Sequence, residues 1–165
     1  MAEPTTTTTT TPAPSPLPIE QQIAAHVVQL LNAQTFSQAF LAERKYLAKA
    51  LLEHTTDLVV TVMAVTKSRE RSSRITNEDE IGIAVAVQQK INPADAAQGD
   101  ELSYLVQEIT DWLDDNWSMD IDGAGVFLIG VESNPLWQEE HLLSLRQFTN
   151  VTTHTFKVER ERNPQ

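Results

Sequence analysis

Two stretches between Asp57 and Lys90 set the hydrophobic pattern of the chain. In Glu80–Lys90, Ile81, Ile83, Val85 and Val87 recur at period two, with Gly82, Ala84 and Ala86 between them. Successive side chains of a strand point to opposite faces, so this stretch predicts a strand with one bulky and one small face. The bulky face suits a core, and the small face offers a close seat for a helix. Asp57–Thr66 is β-branched and apolar on both sides, with Leu58, Val60 and Val62 against Val59, Met63 and Val65. That predicts a central strand covered on both faces. Together the two read as an antiparallel pair in the middle of a sheet.

Two helical stripes accompany them. Pro18 suits a helix start, and Ile19, Ile23, Val27, Leu30 and Leu31 follow at helical spacing. Leu102, Leu105, Val106, Ile109, Trp112 and Leu113 mark the strongest helix, with Asp100 as its expected N-cap. The expected seat of that helix is the small face of Gly82, Ala84 and Ala86. Further strands are expected over Phe36–Tyr46, Gly125–Val131 and Arg146–Arg160, the last favoured by its threonines. Ala48–Thr56 reads as a helical or irregular link, and Pro135–Leu145 as holding a short helix. The fold class expected is α/β (α+β): a mostly antiparallel or mixed sheet of four to five strands with helices packed on it.

Residues 1–17 stand apart. Thr5–Thr11 is an unbroken threonine run followed by Pro12, Pro14 and Pro16. So little apolar surface does not offset the entropy of ordering, and a disordered tail is expected. A glycosylated stalk is the alternative, but no export signal accompanies it. The domain then runs over 18–160, with 161–165 a flexible end. Deleting Met1–Ser15 should leave the melting temperature nearly unchanged; a fall of more than a few degrees would show that the tail packs on the domain.

The 165 residues are 41% hydrophobic, enough for one domain with a sizeable core. Cysteine is absent, which removes disulfides and thiolate metal sites. A formal charge of −11 argues against bulk attraction to nucleic acid or an anionic membrane. No apolar run approaches the roughly 20 residues of a membrane span, and the N-terminus lacks a secretory pattern. These features set the expectation of a soluble cytoplasmic protein.

Catalytic chemistry has little to stand on. The four histidines, His26, His54, His141 and His154, lie far apart, and His154 reads as a packing or hydrogen-bonding residue. With five glycines there is no phosphate-cradling loop, and no nucleophile or zinc-protease motif occurs. Asp111, Asp114, Asp115, Asp120 and Asp122 cluster, and Ser118–Gly123 resembles the front of an EF-hand loop. Ile129, however, stands where such a loop needs its bidentate glutamate, so a solvated acidic turn is expected. The expectation is no catalytic residue, no cofactor and no metal site. Between the two central strands, Lys67, Arg69, Arg71 and Arg74 form a basic cluster read as a loop. It is either a solvated loop or an assembly and partner-binding loop.

Several segments together resemble the tail terminator and tail-completion proteins of long-tailed, non-contractile bacteriophages and prophages. They are Phe40–Tyr46, Asp57–Val65, the charged loop with Arg74, Ile81–Lys90, the helix Leu102–Leu113, and Arg146–Val151 running into Thr155–Val158. The resemblance covers roughly Ile19 to Arg160. Thr152 and His154 depart from it, standing where apolar residues are common, and Ala64–Thr66 lacks a frequent proline. The resemblance implies a structural virion protein, assembled in the bacterial host cytoplasm, that forms a ring, usually a hexamer. The ring caps the tail tube and joins the tail to the capsid connector. The partners implied are copies of the chain itself, the major tail-tube protein and the head–tail connector, with genomic DNA passing through the lumen and no membrane. The alternatives are another neck or head-completion protein and, more distantly, a small soluble binding module or an enzyme.

Overall fold

The structure is a computed structural model that describes residues 17–48, 57–73, 76–133 and 135–161. The elements in chain order are α1 (Ile19–Ala33), β1 (Ala42–Arg44), β2 (Val59–Arg71), β3 (Thr76–Lys90), α2 (Ala96–Asn116), β4 (Met119–Ile121), β5 (Ala124–Glu132), α3 (Glu139–Leu145) and β6 (Gln147–Glu161). The strands form one sheet in the order β1-β2-β3-β6-β5-β4. β1 runs parallel to β2 and every other pair is antiparallel. The sheet is therefore mixed, as expected, but has six strands rather than four or five. The threonine tail and most of the Ala48–Thr56 link lie outside the described residues.

The alternation in β3 and β6 decides what each face of the sheet carries. On one face Val60, Val62, Ile81, Ile83, Val85, Val87 and Phe156 are buried together with the apolar stripes of both long helices. Ile23, Val27 and Leu31 come from α1, and Leu102, Leu105, Ile109 and Leu113 from α2. The expected seat of α2 is thereby corrected: the helix lies on the bulky face, not on Gly82, Ala84 and Ala86. Leucine and isoleucine side chains bury far more apolar area against a ridge of Ile and Val than against alanine. α2 also begins at Ala96, four residues before the expected Asp100, with Asp95 Oδ1 accepting from the amide of Ala97. Its first turn carries no stripe, so the periodicity was silent there.

The second face is small but not open. Met63, Ala84 and Ala86 are buried there, with Ala48 and Val151 against them. Farther along the same face, His141 of α3 hydrogen-bonds the Thr149 hydroxyl at 3.0 Å. Enlarging this layer should be costly. Ala84→Leu is expected to lower stability by roughly 1–3 kcal/mol through overpacking, measured as a shift in the denaturation midpoint; a neutral result would contradict the packing of this face. Gly82 belongs to the same layer, and a Cβ at that position would run into Thr66.

Two strands differ from expectation. Of Phe36–Tyr46 only Ala42–Arg44 pairs with the sheet, and Phe36 instead stacks on Phe40 with centroids 5.3 Å apart. β4 was hidden in the acidic segment. Met119–Ile121 and Ala124–Val126 form a hairpin closed by Asp122 and Gly123, both at positive φ. Asp-Gly is a preferred pair for such a two-residue turn. The segment resembling an EF-hand front is thus the turn of a hairpin, with Asp120 Oδ1 accepting from the Gly123 amide at 2.7 Å.

Candidate functional site

β2, β3 and β6 run on past the last β5 pairing, at Val126 and Val158, as a three-stranded arm from Glu70, Glu78 and Glu159 outward, with Lys67, Arg69 and Asp79 at its base. The basic segment expected to be a loop is in fact strand: Lys67, Arg69 and Arg71 belong to β2, while Arg74 lies outside the described residues. The arm is held by backbone pairing and by cross-strand charge, which a hydrophobic pattern does not register. Lys67 Nζ contacts Glu20 Oε2 of α1 at 2.7 Å. Arg69 meets Asp79 on β3 with both carboxylate oxygens engaged, Nε to Oδ1 at 2.5 Å and Nη2 to Oδ2 at 3.0 Å. Arg160 of β6 reaches Oδ2 of the same carboxylate at 2.6 Å. Arg71 is exposed at the strand end.

Asp79 is fully buried. Burial opposes its ionisation, but the hydrogen bonds and charges of Arg69 and Arg160 prevail and hold its pKa below the ordinary aspartate value. Asp79 belongs to the same side of β3 as Ile81, so carrying the Ile81–Val87 alternation one step back sets a carboxylate at a core position, a signal that the sequence reading passed over. On the other side of the arm Glu70, Glu78 and Glu159 form one cross-strand row, and Glu80 and Lys157 lie in the next. Lys157 contacts Glu78 at 2.8 Å, and hydrogen bonding to that carboxylate raises its pKa. This side of the arm is acidic.

The far margin of the sheet has a different character. β4 pairs with β5 only at Ala124–Val126. From Phe127 to Glu132 the outer side of β5 meets no described strand, and Phe127, Ile129 and Val131 are exposed. The sequence marked this stretch as a strand but not as an edge. Next to it, Val131, Leu136, Trp137 and Phe148 join Val106, Gln107 and Thr110 of α2 around a groove of about 580 Å³. Asn150 at its floor donates to Leu136 O at 2.5 Å and to Ser133 Oγ at 2.9 Å, anchoring the segment that follows β5. Isolated exposed apolar residues are ordinary; Phe127 and Val131 lie on opposite faces of the sheet across the bulge at Ile129, so what marks this margin is its open edge.

The described histidines do not converge. His26 Nε2 lies 3.0 Å from the Ser118 carbonyl, with its ring edge-on to Trp117. His141 pairs with Thr149, and His54 lies outside the described residues. His154 is fully buried between sheet and α2, and neither ring nitrogen has a hydrogen-bond partner. Burial pushes its pKa down to about 4, against smaller opposing effects from the backbone at Thr152 and Ile83 and the Asp114 carboxylate. Among the described residues no three His, Asp or Glu side chains are grouped to hold a metal ion, and no helix is long and apolar enough to cross a membrane. What the geometry offers is surface: a charged arm, an apolar open edge and a shallow groove. No family model matches the chain, and none of the curated proteins matches it.

Proposed function

We propose that the chain is a structural protein of a bacteriophage tail. It assembles as a ring, a hexamer by the resemblance, that caps the tail tube and joins the tail to the head connector. The observation that carries this reading is the open sheet margin at Phe127–Glu132, where apolar side chains are exposed on an outer strand edge that pairs with no described strand. Such an edge is a template for another strand. Resemblance to tail terminator and tail-completion proteins supplies the role, and the acidic side of the arm suits a channel through which DNA passes without adhering. In this reading the major tail-tube protein and the connector bind the two ends of the ring, which is built in the host cytoplasm and carried in the virion. The test is to polymerise the tail-tube protein with and without this chain and measure tube lengths by electron microscopy. Capped tubes of arrested length are expected; lengths unaffected at saturating chain would overturn the role.

A further inference from the structure

We propose that copies of the chain join head to tail through a continuous sheet. The outer side of β5, from Phe127 to Glu132, pairs antiparallel with Thr66–Glu70 of β2 in the next copy. This deepens the ring reading and rests on it.

Among the described residues each subunit has two different open edges. β5 is open beyond Val126, where its pairing with β4 ends. β2 is open beyond Val62, where the Lys45 amide makes the last described bond on that side. Residues 65–71 are all exposed. Contact between two different edges is heterologous and closes into a ring when the rotation permits. The strand directions agree with this. β2 and β6 run one way, β3 and β5 the other. Rotation about an axis along the strands preserves those directions, so β5 meets the neighbour's β2 antiparallel.

The register follows from three constraints. Paired residues must share a face of the sheet. Thr66, Ser68 and Glu70 share a face with Gly82 and Glu80, as do Phe127, Gly130 and Glu132. Ile129 is the extra residue of a bulge, so Phe127–Glu132 offers five pairing positions to the five residues Thr66–Glu70. Finally, β4 fills the place beside Ala124–Val126, so the incoming strand must end there. Thr66 then stands opposite Glu132, Ser68 opposite Gly130 and Glu70 opposite Phe127.

Charge fits the same register. Arg71, the last residue of β2, shares the helix-covered face with Arg69 and Asp79. It arrives at the depression lined by Asp114, Met119, Phe127 and Leu128, where the Asp114 carboxylate waits on α2. The β5 edge carries no proline or lysine, the residues that commonly guard an edge strand.

The chain has no cysteine, so introduced thiols report one contact each. A Cβ at Gly130 meets nothing within 4 Å, and Ser68 is exposed. Gly130→Cys and Ser68→Cys, made separately, mixed and oxidised, should yield linked dimers only in the mixture, while the double variant links into longer ladders. A second arm uses charge. Arg71→Glu and Asp114→Lys should each weaken assembly by about tenfold in concentration, with the double exchange recovering most of it. Light scattering on the unlinked wild type runs in parallel. If rings form but no Gly130–Ser68 link appears and the charge exchange does not rescue, the edge pairing is wrong while the ring reading stands. If Gly130→Cys links to itself, the contact is a two-fold dimer and the proposal falls. A wild type that stays monomeric at all concentrations overturns both.

Discussion

Arg69→Glu is expected to destabilise the isolated domain by about 3–5 kcal/mol, although the residue is half exposed and looks like a surface cation. Asp79 is shut off from solvent, and its charge is tolerated only because Arg69 binds both its oxygens and Arg160 one of them. The substitution removes the two-fold contact and sets a second carboxylate against the first. Arg71→Glu, two residues on and at the exposed strand end, is the matched control and should stay within about 0.5 kcal/mol of wild type. Denaturant midpoints for the two variants give the comparison. Equal midpoints would mean that the Arg69–Asp79–Arg160 group contributes nothing to the fold.

The second large effect is on pH. His154 has a folded pKa of about 4, below the roughly 6.5 of an exposed histidine. The unfolded chain therefore binds a proton that the folded one refuses. The contribution is complete above about pH 6.5 and is lost as the pH falls toward 4, for a total on the order of 3 kcal/mol. Between pH 7 and 5 wild type should lose about 2 kcal/mol to this group, and His154→Leu should remove that slope. Asp79 works in a lower window. Its folded pKa is depressed, so its stabilisation persists above the ordinary aspartate value and is lost only as the pH drops below that. Unfolding curves at pH 7, 5 and 3 for wild type and His154→Leu separate the two. An unchanged slope between pH 7 and 5 in His154→Leu would show that His154 is not the titrating group.

The central strand pair, both long helices and the closing strand were legible because each carries an apolar period that burial enforces. Ile81 to Val87 and Leu102 to Leu113 are the clearest cases, and both reach the core. Which face took α2 was not legible. Both faces of β3 are apolar, and the choice depended on two helices sharing one layer. The arm was missed for a related reason. Lys67–Arg71 and Asn77–Glu80 have no apolar period, and their strand geometry comes from ladder bonds and cross-strand ion pairs. β4 was too short to show a pattern, although the Asp122-Gly123 turn announced a hairpin. Of the basic residues singled out in the sequence, Lys67 and Arg69 hold the subunit together internally. Arg71 takes part in none of the described ion pairs, and it supplies the charge contact of the proposed assembly. The open β5 edge was invisible because Gly125–Val131 reads like any interior strand.

The proposed ring is a closed assembly of copies of this chain. Native mass spectrometry of the purified wild type across a concentration series tests it most directly. A ring gives one discrete closed species, a fixed whole-number multiple of the 18.4 kDa chain, that persists as concentration rises. Monomer at every concentration, or an unbounded ladder of open oligomers, would contradict it.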